Sequence, residues 1–290
     1  MDRFSSANKA SILGILVNIF LLIIKITIGF ISNSQAMIAD AFNSFGDVLS
    51  SLLTFIGNKI SSKEADDDHH LGHGKAEYIY AFLISIIMVI TSIMVIKNAI
   101  GTYLNHTKIN FSIYLILVCV ITIISKFCLY LYTKSIGKKH HNILVEANSK
   151  DHRNDCFITA MTLTSAVLGI YVLDIIIGII ISLWIAVTAI KIFKESYDIL
   201  MDKAMDENTK DQVYEIIKKH KEVLKVQHFN TTPVGYRYQI SFTIFVDGNL
   251  STFESHDIAD SLEKEIRKEI PEIYLTVIHV NPMNVNKKDK

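Results

Sequence analysis

Along the 290-residue chain the apolar residues gather in long blocks and not in short alternating runs. Residues 11–31, 78–100, 111–132, 156–173 and 175–193 are almost free of charge. Each approaches the roughly 20 helical residues that cross a hydrocarbon core of about 30 Å. A sixth stretch, 34–57, is apolar but interrupted by Asp40, Asn43 and Asp47. The fifth block follows a polar run, Asp151, His152, Arg153, Asn154 and Asp155. The pattern predicts six membrane-spanning helices, with polar stripes on the second and fifth. The first block is too long, and too clearly followed by others, to read as a cleaved signal peptide.

Beyond residue 202 the pattern changes to that of a soluble domain. Residues 207–221 read as a helix with Val213, Ile216 and Ile217 on one face. Two strands, 223–231 and 236–247, flank a turn at Thr232-Pro233-Val234-Gly235. A helix over 251–270 begins at Ser251, with Glu254 at the capping-box spacing. A last strand covers 273–280. The order α-β-β-α-β predicts a small sheet covered on one face by helices. The chain therefore divides into a transmembrane domain, 1–205, and a cytosolic domain, 206–290.

Composition adds exclusions. The chain is 50% hydrophobic and 20% charged, with 29 basic and 29 acidic residues. Averages like these, so unevenly spread, exclude a simple soluble enzyme, a disordered chain and a disulfide-built protein. Zero net charge gives no pull toward nucleic acid. Cys119, Cys128 and Cys156 show no metal-type spacing and read as buried free thiols. The prolines, Pro233, Pro271 and Pro282, all lie near the C-terminus, so the first 200 residues can run as unbroken helices. Basic residues flank one side: Arg3 and Lys9, then Lys59, Lys63 and Lys75, then Lys134, Lys138, Lys139 and Lys150, then Lys194 and Lys203. The opposite loops offer only Lys108. The positive-inside rule makes this a multi-pass protein of the cell membrane with both termini in the cytosol.

Asn43 and Asp47 share one helix face at a spacing of four, and Asp151 and Asp155 repeat it; Asp40 continues the first stripe outward. Some of these acids could cap helices or pair with Lys25 or Arg153. An ionised carboxylate at depth nonetheless costs several kcal/mol and usually marks a pathway. If the two faces meet, they present three carboxylates and an amide oxygen, a hard donor set that suits Mg, Ca or Mn. Two carboxylates about 6 Å apart repel by roughly 3 kcal/mol at an effective dielectric near 20, about two pKa units. Such a cluster can hold a proton near neutral pH and yield it to a divalent cation. The loop "EADDDHHLGHGKAE" (64–77) is a second candidate, either a metal site or a solvated charge run.

The "ADAFNSFGD" stripe (39–47), the "ADDDHHLGHGKAE" loop and the "DHRND" run resemble the cation diffusion facilitators over nearly the whole chain. The resemblance implies six transmembrane helices followed by an α+β ferredoxin-like cytosolic domain. It also implies a homodimer in the lipid bilayer that exports divalent metal against proton entry, with no further cofactor. Its transport ligands fall on Asn43, Asp47, Asp151 and Asp155, with His152 beside a ligand position. A set without histidine is similar to the family's manganese branch, with Zn²⁺ or Fe²⁺ as alternative cargo. A second site falls on Asp66, His69 and His73. The cytosolic ligand positions fall near Gln227, Thr243, His256, His279 and Asn281, of which His256 and His279 match in type. Lys75 and Asp202 correspond to a pair that interlocks the family's dimer. Rival readings are a metal-gated channel and a membrane metalloenzyme. Firm multidentate binding disfavours the first, and no nucleophile motif or phosphate loop supports the second.

Overall fold

The computed structural model describes residues 3–31, 35–105, 113–168 and 171–284. Lys108 lies outside them, as do the side chains of Asp40 and Asn43. Six long helices come first: α1 (Arg3–Ile31), α2 (Gln35–Ser61), α3 (Ala76–Asn105), α4 (Ile113–Lys139), α5 (Ile143–Leu168) and α6 (Tyr171–Leu200). A smaller αββαβ set follows: α7 (Glu207–Lys219), β1 (Lys225–Val234), β2 (Arg237–Asp247), α8 (Thr252–Glu269) and β3 (Ile273–Met283).

The helical unit is turned inside out relative to a soluble protein. Leu16, Phe20 and Ile23 of α1, Ile93 of α3, Ile124 of α4 and Ile180 of α6 are all exposed. Ser50, Ser51, Thr54 and Asn58 of α2, and Asn148, Ser149, Asp151 and His152 of α5, are buried. Apolar surface on that scale is untenable in water and natural against lipid tails. Helix α2 packs on α1, α3 and α5, while α5 packs on α1, α2, α3 and α4, so the polar faces of both helices meet neighbouring helices.

This placement explains their poor hydropathy. Among the described residues only segments of α1, α3 and α4 are both long and apolar enough to cross a membrane by composition. Helices α2 and α5 turn their polar residues toward neighbours, so a hydropathy average undervalues them.

Helix α5 begins earlier than the hydropathy suggests. Asn142 Oδ1 accepts the Val145 N–H at 2.9 Å, an N-cap contact that starts the helix before its polar run. Glu77 Oε1 accepts the Ile143 N–H at 2.8 Å. The same carboxylate pairs with Arg3 at 2.7 Å and is 1% exposed, tying the starts of α1, α3 and α5 together. Asp151 therefore lies more than two turns inside α5, where capping cannot account for its charge.

In the smaller unit β1 and β2 are antiparallel, and β3 adds parallel to β2 after the α8 crossover. Val213, Ile216 and Ile217 of α7 join Leu262 and Ile266 of α8 in one core with Ile240, Phe242, Ile244 and Ile273 of the sheet. Ser251 and Glu254 form the full reciprocal capping box. The hairpin turn falls later than the sequence predicts: Val234 pairs with Arg237, leaving Gly235 and Tyr236 as the loop. Pro233 is accommodated within β1, since an edge strand tolerates the missing N–H. Gly235 takes φ +64°, the left-handed conformation that glycine adopts without strain.

The segment Ala65–Lys75 clusters with this smaller unit rather than with the helices that flank it. Gly74 meets Gly235 so closely that a Cβ on Gly235 would lie 3.0 Å from the Gly74 Cα and 3.2 Å from its carbonyl oxygen. Gly235→Val should combine left-handed strain with that clash and release the loop. Limited proteolysis of the full-length protein is expected to show faster cleavage within 64–75; unchanged protection would refute the contact.

Candidate metal centre

Helix α2 supplies Asp47 and α5 supplies Asp151 and Asp155. One carboxylate oxygen from each lies within 4.8 Å of the others. A four-residue spacing puts Asp151 and Asp155 on one face, and the packing of α2 on α5 brings Asp47 to it. The acids of the two stripes thus converge. Asn43 sits one turn before Asp47 in α2, its side chain outside the described set.

A residue that spacing alone does not connect with these acids completes the group. Lys126 of α4, 1% exposed, donates to Asp47 Oδ2 at 2.7 Å and to Asp155 Oδ2 at 2.6 Å. The signal was present in the sequence as a lone lysine within "ILVCVITIISKFCLYLY", and an ionisable residue there marks function by default. Lys25 donates to Ser44 Oγ at 2.9 Å, and Arg153 stacks over Trp184 with its guanidinium carbon 4.3 Å from the ring centre.

The centre is buried among polar groups. Asn18 of α1 donates to the Asp47 carbonyl at 3.1 Å and to Ser51 Oγ at 2.8 Å. His152 is fully buried and lies outside the carboxylate group. Its Nε2 faces Gly14 of α1, 3.7 Å from where a Cβ would stand.

A second group forms in the loop. Asp66, His69 and His73 offer donor atoms within 4.8 Å of one another. Asp66 Oδ1 accepts the backbone N–H of His69 at 2.7 Å and of Asp68 at 3.2 Å, so the loop is folded around its carboxylate. The His69 amide foremost, helped by the His69 and His73 imidazoles, holds the Asp66 carboxyl below its ordinary value. The group mixes oxygen with imidazole nitrogen, a softer set than the buried one.

The cytosolic candidates are separated within the chain. Gln227, Thr243 and His279 stand in one row across the sheet. Ile278 and Val280 pack on the core, so alternation turns His279 to the other face. His256 lies on the α8 side, 3.6 Å from Asp260. Neither histidine belongs to a metal-capable group among the described residues.

Lys75 and Asp202 do meet, at 2.6 Å, within one chain. Asp202 has φ +55°, at the position after α6 where Lys203 N bonds Asp198 O at 2.9 Å and Asp202 N bonds Ile199 O at 3.2 Å. This is the Schellman closure that usually takes glycine. Asp202→Gly removes the ion pair but relieves the backbone, so stability should stay within about 0.5 kcal/mol of wild type. Asp202→Val loses the pair and worsens the strain, so it should cost more than about 1 kcal/mol. Thermal unfolding of the full-length protein distinguishes them, and equal melting points would refute the strain.

Comparison with known proteins agrees with this architecture. Residues 11–201 match the cation efflux transmembrane domain, and 205–283 match the cytoplasmic domain of cation efflux proteins. The chain belongs to the cation efflux family. It is a membrane transporter rather than an enzyme, and the cytoplasmic domain makes it a homodimer. Its relatives include the manganese efflux system protein MneP of Bacillus subtilis, 26% identical over 97% of this chain and 98% of that protein. The cation-efflux pump FieF of Shewanella oneidensis is 28% identical over 96% and 94%. MneS, a second manganese efflux system protein of Bacillus subtilis, is 26% identical over 97% and 98%.

Proposed function

We propose that the protein exports Mn²⁺ from the cytosol in exchange for protons, with the ion held by Asp47, Asp151, Asp155 and Asn43. The observation that carries this reading is the convergence of three carboxylates, with neither imidazole nor thiolate in their group. An all-oxygen donor set suits Mn²⁺ and lacks the imidazole or thiolate that zinc sites commonly use. The manganese efflux activity of the relatives MneP and MneS supports the same cargo. In this reading six helices cross the cell membrane with both termini in the cytosol, and the carboxylates lie on the route between its two faces. Moving two positive charges outward against 100 mV costs roughly 4.6 kcal/mol, and each entering proton returns about 2.3 kcal/mol. Two entering protons would balance the potential, while one would need a pH or metal gradient to help.

The loop group of Asp66, His69 and His73 is proposed as an additional metal site outside the transport path. His256 and His279 could belong to a cytosolic site only with donors from the second copy, because one chain holds them on opposite faces. Asp40, one turn beyond Asn43 in α2, is a candidate accessory ligand toward the outside.

Transport in proteoliposomes tests the main reading. Asp47→Ala and Asp155→Ala should each abolish Mn²⁺ flux while the protein still folds, and normal flux in both would overturn the site. Flux should rise with an opposing pH gradient; indifference to protons would overturn the exchange. A competition panel of Mn²⁺, Zn²⁺ and Fe²⁺ tests the cargo, with Mn²⁺ expected to win. Asn43→His should move preference toward Zn²⁺, because imidazole replaces an oxygen. An unchanged preference in that variant would contradict the donor-hardness argument.

A further inference from the structure

We propose that Lys126 is a tethered competitor for the transported ion, a built-in cation that must leave Asp47 and Asp155 before a metal can take them. This rests on the proposed transport site and adds to it a residue that sets affinity and release.

The geometry leaves little room for sharing. Lys126 Nζ stands 2.7 Å from Asp47 Oδ2 and 2.6 Å from Asp155 Oδ2, joining α2 and α5 through α4. Hard divalent ions approach carboxylate oxygen to about 2.0–2.6 Å. A metal on the same oxygens would therefore meet an ammonium already at contact distance, and like charges at such range repel strongly away from water. The third carboxylate, Asp151, belongs to the same group, so an arriving ion has a first foothold that Lys126 does not hold.

The side chain can move without leaving its helix face. Lysine carries its charge on a flexible four-carbon stem. Thr122 stands four residues earlier on the same face of α4, buried, with a hydroxyl that has no hydrogen-bond partner among the described residues. A side chain on a helix leans toward the N-terminal turn, which is where Thr122 lies. Thr122 is thus a ready acceptor for the displaced ammonium. The lysine also answers a functional difficulty: one buried and two partly buried carboxylates bind a divalent ion firmly, and a tethered cation returning to two of them promotes release.

Two variants read this role in opposite directions. Lys126→Met removes the competitor, so the purified full-length protein in detergent should bind Mn²⁺ at least tenfold more tightly. Lys126→Arg replaces the ammonium by a fork that holds carboxylates bidentately, so Mn²⁺ should bind several-fold more weakly. A lysine with a merely structural role would weaken binding in both or alter neither. Tighter binding in Lys126→Met with weaker binding in Lys126→Arg supports the proposal. Unchanged or weaker binding in a folded Lys126→Met overturns it. Should Lys126→Met fail to fold, Lys126→Gln takes its place as the uncharged variant, with tighter Mn²⁺ binding expected and unchanged or weaker binding overturning the proposal. Asp155→Ala serves as the reference. If it binds and transports Mn²⁺ as the wild type does, the transport site itself is misassigned, a failure distinct from that of the lysine.

Discussion

The helical unit depends on one constraint: carboxylates placed away from water need a cation. An isolated buried charge costs several kcal/mol, and removing one partner of a buried ion pair costs about 3–5 kcal/mol. Asp47 and Asp155 meet that constraint through Lys126, at 2.7 and 2.6 Å, with Lys126 1% exposed. Three helices are thereby joined at one point in the middle of the bundle. The arrangement also explains where the polar faces lie. Helices α2 and α5 cannot turn Ser50, Ser51, Asn148 and Asp151 to lipid, so those polar faces are buried against neighbouring helices while Phe45, Leu49, Leu52 and Phe157 stay exposed.

The donors of this site are hard oxygens, its surroundings are buried polar groups such as Asn18 and Ser51, and its histidine neighbour His152 is directed at α1. Among the described residues, the imidazoles that belong to a metal-capable group are those of the loop, where His69 and His73 stand beside Asp66. The protein therefore keeps two donor chemistries apart, the oxygen set buried among helices and the mixed set on a loop that clusters with the smaller unit.

What the sequence revealed followed the range of each interaction. Local patterns were legible: the Val213, Ile216 and Ile217 face, the Ser251–Glu254 box and the Lys75–Asp202 pair all stand where spacing and resemblance put them. The aspartates of the buried group were legible too, since each helix contributes through a four-residue spacing. Lys126 was not connected to them, because its partners lie 79 and 29 residues away and only packing brings them close. The start of α5 was misplaced for a related reason. Its polar residues Asn148, Ser149, Asp151 and His152 are buried against other helices and not turned to water, and Asn142 caps the helix in a stretch that reads as a loop. The hairpin turn shifted because Pro233, usually a mark of a turn, lies within an edge strand.

The most direct measurement of the central claim is X-ray absorption at the manganese edge of the Mn²⁺-loaded protein, with the loop group removed by Asp66→Ala, His69→Ala and His73→Ala. The buried centre should then be the ion's remaining high-affinity host. The expected spectrum shows a first shell of oxygen alone, at the distances of carboxylate and amide donors, which is lost on adding Asp47→Ala and Asp155→Ala. A shell containing imidazole nitrogen, or one unaffected by those two changes, would contradict the claim that buried carboxylates carry the ion.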